Sequence, residues 1–237
     1  VPSLRQLEGS LKLTTAVSML RHLDSLPALP GTVQRVREML FDESGSANEV
    51  GEVISRDPAI AAKVLKVANS AAYGFSQQVD SVQLAVSLLG LMETYSVVVT
   101  SAVLDVFQPN GHFDYVKFWR ESMASATIAR ALAKEFRINN TGIFSAALLH
   151  DIGRVALVHI VPEYYAKVDP ELSGMALIHA EESLLGLTHT EAGHQLADYW
   201  DFPETLNESI RFHHTPTFAR ESHRSIVALI HIADVLS

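Results

Sequence analysis

The sequence predicts an all-α fold, an N-terminal helical subdomain packed on a C-terminal bundle of helices. Three observations carry this expectation. Apolar residues recur at helical spacings along nearly the whole chain. Helix-start signals are frequent. The one β-branched run, Val97-Val98-Val99-Thr100, has no second strand candidate to pair with. Composition agrees: with 48% hydrophobic and only 19% charged residues, the chain has a core to bury and is not of the disordered class.

Taken in order, Leu4, Leu7, Leu11, Val17, Leu20 and Leu23 mark an amphipathic helix over residues 4–23, which Leu26-Pro27-Ala28-Leu29-Pro30 breaks. A second helix runs from about Thr32 to Phe41. Ser46 and Glu49 form a capping box, each satisfying a backbone donor of the other, and open a third. Asp57-Pro58 opens a fourth, with Asp as cap and Pro at the first helical position. Its alanines, Ala59, Ala61, Ala62 and Ala68, permit close helix contact, and Asn69 and Ser70 cap its end and hold the loop containing Tyr73-Gly74-Phe75. Asp80 or Ser81 caps a short helix that stops at Gly90. Residues 91–107 read as helix because a strand there would stand alone.

Gln108-Pro109-Asn110-Gly111 is the clearest linker. Beyond it Asp114 caps a long helix through Phe136, and Asn139-Asn140-Thr141-Gly142 turns into a helix that ends in His150-Asp151. Shorter helices follow near 162–168 and 173–185, the latter ended by Gly186. Thr188 and Glu191 form a second capping box for a helix through Trp200. Asp201-Phe202-Pro203 starts another that ends at His213-His214, and the last covers 221–236. The expected division is a linker-like helix over 1–24, a helical subdomain over 25–108 and a second over 112–237.

The net charge of −9, with no Lys/Arg cluster, excludes the electrostatic footprint of nucleic-acid binding. With no cysteine, neither a disulfide nor a thiolate nucleophile is available, and any metal must be held by His, Asp and Glu. No uninterrupted apolar run reaches about 18 residues, and the N-terminus lacks the pattern of a signal peptide. The reading is a cytoplasmic protein with no membrane partner. The first residue is Val rather than Met, which fits a segment of something longer.

Among eleven histidines, placement matters more than number. His150 and Asp151 close one helix, His189 opens another, His213 and His214 close a third, and Asp234 lies in the apolar stretch Ile232-Ala233-Asp234-Val235-Leu236. Neighbours on a helix diverge by about 100°, so an adjacent pair can act together only at a helix end or around a ligand. Burying such groups unpaired would cost on the order of 2–7 kcal/mol each. On the residues alone the set fits either a metal centre or a group of hydrogen-bonded core side chains. His22, His112, His159, His179, His194 and His223 show no such convergence.

Leu148-Leu149-His150-Asp151-Ile152-Gly153, taken with Ala233-Asp234, resembles the HD superfamily of metal-dependent phosphohydrolases. Further stretches in the same order resemble its HDOD (HD-related output domain) branch: Leu26-Pro27-Ala28-Leu29-Pro30, Asp57-Pro58 through Asn69-Ser70 with Tyr73-Gly74, Ala85-Val86-Ser87-Leu88-Leu89-Gly90, Phe118-Trp119-Arg120, His189 with Gly193, Trp200-Asp201-Phe202-Pro203, and His213-His214-Thr215-Pro216. The resemblance covers residues 22–236. It implies an all-helical bacterial signal-transduction module, generally non-enzymatic, whose partners are other signalling proteins or an upstream receiver or sensor domain. The helix over 4–23 would then be the tail of a linker from such a domain.

The resemblance also implies the metal set His150, Asp151, His189, His213, His214 and Asp234, holding a divalent ion such as Fe, Mn, Zn or Mg. Glu121 stands where the superfamily's first metal-binding histidine falls. Arg154 stands where the related cyclic-di-GMP phosphodiesterases carry a lysine, and the Gly-Tyr-Pro segment of those enzymes is absent. Arg is a poor metal ligand but a good phosphate clamp, so Arg154 and Glu121 are expected at a bound ligand. No residue is assigned a catalytic role. The expected function is a regulatory module, with metal-dependent hydrolysis of a nucleotide or cyclic dinucleotide as the alternative.

Overall fold

Every regular element among the described residues is helical, as the sequence predicts. The computed structural model describes residues 28–41, 45–70, 73–106, 113–138 and 142–237. The expected helix over 4–23, the Gln108–Gly111 linker, His22 and His112 lie outside them. The chain divides into two compact units. Residues 28–106 and 142–145 belong to the first, 113–138 and 146–237 to the second.

The first unit holds α1 (Gly31–Phe41), α2 (Ala47–Ser55), α3 (Pro58–Ala68), α4 (Val82–Leu89) and α5 (Leu91–Val106). Local chemistry sets their starts. Ser46 accepts from the Glu49 amide while the Glu49 carboxylate takes the Ser46 amide at 2.8 Å, which is the expected capping box. Asp57 caps α3 by accepting from the Ile60 amide at 3.2 Å, and it is Ser81, not Asp80, that caps α4. Asn69 does more than close α3. Its side-chain amide donates to the Leu65 and Val79 carbonyls at 2.9 and 2.8 Å and accepts from the Val79 amide at 2.9 Å, tying the far end of the loop to the helix.

Gly90, at φ +82°, makes the 118° bend between α4 and α5, a backbone conformation open to glycine and strained for other residues. The β-branched run of α5 is helical because Val97, Val98 and Val99 are buried, and burial outweighs a weak local preference of a few tenths of a kcal/mol, roughly, per residue.

The second unit holds α6 (Tyr115–Glu135), α8 (Ile152–Ile160), α9 (Pro162–Tyr165), α10 (Gly174–Leu185), α11 (His189–Tyr199), α12 (Glu204–Phe212) and α13 (Glu221–Leu236), while α7 (Ile143–Leu149) begins in the first unit and ends in the second. Packing pairs α8 with α11, α6 with α13, and α11 with α12. Helix α8 is not foreseen in the sequence. Asp151 stands at its N-cap but makes no capping bond, because its carboxylate is turned to other partners. Ile143–Ile160 is apolar enough to span a membrane by length and composition, with mean hydropathy 1.4, but it is broken at His150-Asp151 and 78% buried within the fold. Its hydropathy is that of core helices.

Candidate metal centre

Four helix ends bring the expected residues together. His150 and Asp151 occupy the break between α7 and α8, His189 is the first residue of α11, His213 is the C-cap of α12 with His214 beyond it, and Asp234 lies in the last turn of α13. Because the pair His150-Asp151 sits in a break and not within a helix, both side chains can turn to the same side. His189 Nε2 is 3.2 Å and His213 Nε2 3.3 Å from Asp151 Oδ1, and those two nitrogens are 3.4 Å apart. His214 Nε2 lies 3.2 Å from His189 Nε2. On the outer side Asp234 Oδ1 is 3.3 Å from His150 Nε2, and Asp234 Oδ2 is 3.9 Å from His214 Nδ1.

The far nitrogens decide what the near ones are. His150 Nδ1 faces the Ala147 carbonyl at 2.6 Å, and His213 Nδ1 faces the Ser209 and Ile210 carbonyls at 3.2 and 3.0 Å. His189 Nδ1 faces the Glu181 carboxylate at 2.7 Å. A carbonyl or carboxylate only accepts, so each Nδ1 carries the proton, and each neutral imidazole presents an Nε2 lone pair inward. Asp151 Oδ1 is buried, and among the described residues no group donates a hydrogen bond to it with good geometry. Imidazole lone pairs and a carboxylate oxygen therefore face one another, an arrangement that a proton, a water O–H or a cation would satisfy.

The donor set fits a cation. Donors at about 2.0–2.1 Å around a tetrahedral ion stand about 3.3–3.4 Å from one another. Asp151 Oδ1, His189 Nε2 and His213 Nε2 form a nearly equilateral triangle of 3.2, 3.3 and 3.4 Å, so one ion can reach all three. Adding His214 gives four donor atoms within 4.8 Å of one another. Imidazole and carboxylate suit Zn, Mn or Fe.

Without a metal the charges arrange themselves around a proton. Burial works against charge on His189, but Glu181 and Asp151 outweigh it and lift its pKa to about 9. Burial also opposes charge on His150, and Asp151 and Asp234 more than offset it, so its pKa is raised. Burial lowers His213 and His214, the latter to about 2, with the neighbouring imidazoles adding to the effect. Burial would raise Asp151, yet His150 and His189 hold it well below the usual carboxylate range. Asp234 is lowered as well: burial opposes this, and His150 prevails.

A cleft of about 360 Å³ opens beside the centre, reaching Glu121, Ser122, His150, Asp151, Arg154, His214 and Asp234. Arg154 donates to Asp151 Oδ2 at 3.1 Å and to the Tyr165 hydroxyl at 3.4 Å, and its guanidinium lies 5.8 and 5.9 Å from the Phe113 and Phe118 ring centres. Glu121 is half-buried on the cleft wall and outside the four-donor cluster. His194 bonds locally to Asn207 at 2.5 Å.

Comparison with known proteins places the chain in a family. The HDOD domain profile matches residues 26–216. The chain belongs to the HDOD domain family. An HDOD domain protein of unknown function from Geobacter sulfurreducens is 29% identical, with a TM-score of 0.77 over 95% of this chain and 77% of that one. A candidate phosphohydrolase from Shewanella amazonensis is 28% identical, with a TM-score of 0.74 over 92% and 79%. An uncharacterised protein of Treponema pallidum is 24% identical over 93% of this chain but only 44% of its own length, so the chain spans less than half of that relative.

Several HDOD stretches now have physical roles. A Cβ on Gly153 would lie 1.8 Å from the His189 carbonyl oxygen, and one on Gly193 would lie 2.5 Å from an Ile210 methyl. These two glycines let α8 and α11 approach closely enough for Asp151 to meet His189. In Trp200-Asp201-Phe202-Pro203, Asp201 takes φ +56°, and the Phe202 and Asp201 amides return to the Ala197 and Asp198 carbonyls at 2.8 and 3.1 Å. This Schellman ending turns the chain from α11 into α12, whose far end delivers His213.

Sequence reasoning missed Glu181 and Tyr165. Glu181 is fully buried and accepts the His189 amide as well as its ring N–H, both at 2.7 Å, and the Tyr165 hydroxyl donates to it at 3.3 Å. The signal was present: Leu177, Glu181 and Leu185 share one buried stripe of α10, and an acid in such a stripe needs a partner.

Proposed function

We propose that this HDOD domain is a regulatory output module of a signalling protein that holds one divalent cation at Asp151, His189, His213 and His214 without turning over a substrate. One observation carries the reading: His189 Nε2, His213 Nε2 and the buried Asp151 Oδ1 stand 3.2–3.4 Å apart, the spacing of ligands around one ion, with a His214 nitrogen in the same cluster of donors within 4.8 Å of one another. A bound cation would supply Lewis-acid chemistry, polarising a phosphoryl oxygen or lowering the pKa of water. The chain's own residues favour holding over hydrolysis. His189 and His213 have no exposed surface. Arg154 is engaged with Asp151 and Tyr165, and Glu121 takes the place of a superfamily histidine. His150 and Asp234 form the outer wall and meet whatever enters the cleft. Partners would be other signalling proteins or an upstream receiver or sensor domain in the cytoplasm, as the resemblance to HDOD modules implies.

Hydrolysis of a phosphate ester is the second reading. It is favoured by the cleft itself, by Lys117 on its wall, and by likeness to the Shewanella protein. Metal analysis and Mn²⁺ titration of chelator-stripped protein, followed by a phosphodiester assay with added Mn²⁺ or Fe²⁺, separate the two. The expected result is one ion per chain, lost in Asp151→Asn, with no turnover. Turnover abolished by His150→Ala would establish the enzymatic reading. Absence of metal uptake would reduce the centre to a hydrogen-bonded core.

A further inference from the structure

The geometry points to Glu181 as the positioning residue that fixes His189 as a cation ligand through its charge, an inference resting on the reading that the centre holds a cation. Glu181 belongs to α10, which contributes no donor to the four-residue cluster. Its side chain nevertheless has no exposed surface, a costly place for a carboxylate without a task.

Among the described residues three groups face Glu181, and all three donate. The His189 amide and ring Nδ1–H share Oε2, and the Tyr165 hydroxyl reaches Oε1. The two carboxylate oxygens accept from all three at once, while Tyr165 in turn accepts from Arg154. The backbone contact fixes where α11 begins, and the ring contact fixes which way its first side chain turns and which nitrogen keeps the proton. One carboxylate oxygen therefore settles the place, rotation and tautomer of His189 together, which is how an outer carboxylate raises the donor strength of an imidazole ligand.

The same contacts close a ring. Asp151 Oδ2 accepts from Arg154 at 3.1 Å, Arg154 donates to Tyr165 at 3.4 Å, Tyr165 donates to Glu181 at 3.3 Å, Glu181 holds His189 at 2.7 Å, and His189 Nε2 returns to Asp151 Oδ1 at 3.2 Å. Both ends of the ring are donors to the same ion. Glu181 is the ring's only other anion, so removing its charge weakens His189 without touching the cluster itself.

Glu181→Gln makes the test, because glutamine keeps the shape: its carbonyl can take both His189 donors and its amide can face the Tyr165 hydroxyl. Co²⁺ alone is the probe, since its visible bands report the ligand field and its titration reports affinity. The expected result is a metal-free protein that folds but melts below wild type near neutral pH, because the Glu181–His189 charge pair is gone, together with Co²⁺ affinity about 10–100-fold weaker and a shifted band in the loaded protein. Glu181→Asp, which keeps the charge on a shorter arm, should fall between wild type and Glu181→Gln, and serves alone if the glutamine variant does not fold. Wild-type affinity and band in Glu181→Gln, or equal losses in the two variants, would overturn the role of the charge while leaving the cation reading intact. No Co²⁺ uptake by the wild type would overturn both.

Discussion

Replacing Gly153 with alanine tests whether the centre depends on the close approach of α8 and α11. The added Cβ would lie 1.8 Å from the His189 carbonyl oxygen, 2.8 Å from its carbonyl carbon and 2.6 Å from the Gly193 amide nitrogen. All three are backbone atoms, so no side chain can swing away, and the helices must part by more than about 1 Å to restore contact. Alanine's better helix propensity contributes about 1 kcal/mol in the other direction. Overpacking typically costs about 1–3 kcal/mol, occasionally more, and a clash with backbone on every side belongs at the upper end. A net loss of about 2 kcal/mol corresponds to a fall in Tm of roughly 4–8 °C for a chain of this size. The functional loss should be larger than the stability loss. Metal–ligand distances tolerate about 0.2 Å, and the displaced atom belongs to His189 itself. Thermal melts of chelated protein with and without Mn²⁺ provide the assay: wild type gains stability on adding the ion, and Gly153→Ala should melt lower and gain nothing. Gly193→Ala, whose Cβ would meet an Ile210 methyl at 2.5 Å and no backbone atom closer than 3.2 Å, should be milder. A Gly153→Ala protein with wild-type melting and a full Mn²⁺ increment would refute the reasoning.

Three further expectations follow from the charges and the loop. In the chelated protein His189, raised to about 9, contributes stability that is fully present below its ordinary 6.5 and lost as pH rises through 9, whereas His214, held at about 2, removes stability as pH falls below 6.5. Asp151 contributes stability present above 3.8 that is lost as pH falls toward its lower folded value. Urea melts across this range should therefore show maximal stability near neutrality, and a monotonic rise toward pH 10 would contradict the assignment. Because an ion must displace the His189 proton, Mn²⁺ affinity should rise about tenfold per pH unit up to about 9. Calorimetry in buffers of different ionisation enthalpy should find one proton released per ion, and pH-independent uptake would exclude the displacement. In the first unit, Asn69→Ala removes three hydrogen bonds to Leu65 and Val79 and should cost about 1–3 kcal/mol. Hydrogen exchange at the Val79 amide should accelerate while Mn²⁺ uptake stays at the wild-type level, and unchanged exchange would show that the clamp is not formed in solution.

Local chemistry made the helices legible. Ser46 with Glu49, Asp57-Pro58, Asp114, Thr188 with Glu191 and the glycines at 90 and 186 act within a few residues of themselves, so their effect can be read along the chain. Helix α8 escaped for the converse reason. Asp151 would ordinarily announce a helix by capping it, but its carboxylate is committed to imidazoles contributed by α11 and α12. The ligand chemistry was equally plain in the sequence: with no cysteine, only His, Asp and Glu could gather at a centre, and the residues at helix ends were the ones that did. Tertiary structure decided the rest. His189 and His213 are 24 residues apart, and His150 and Asp234 are 84 apart. Their convergence depends on helix crossings at glycines and on a left-handed residue at Asp201, none of which has a local signature as strong as a cap. Glu181 and the tautomers it helps to set belong to the same category. A hydrogen bond between distant helices exists only once both are packed, so the sequence determined which donors were available and the fold determined which lone pairs face one another.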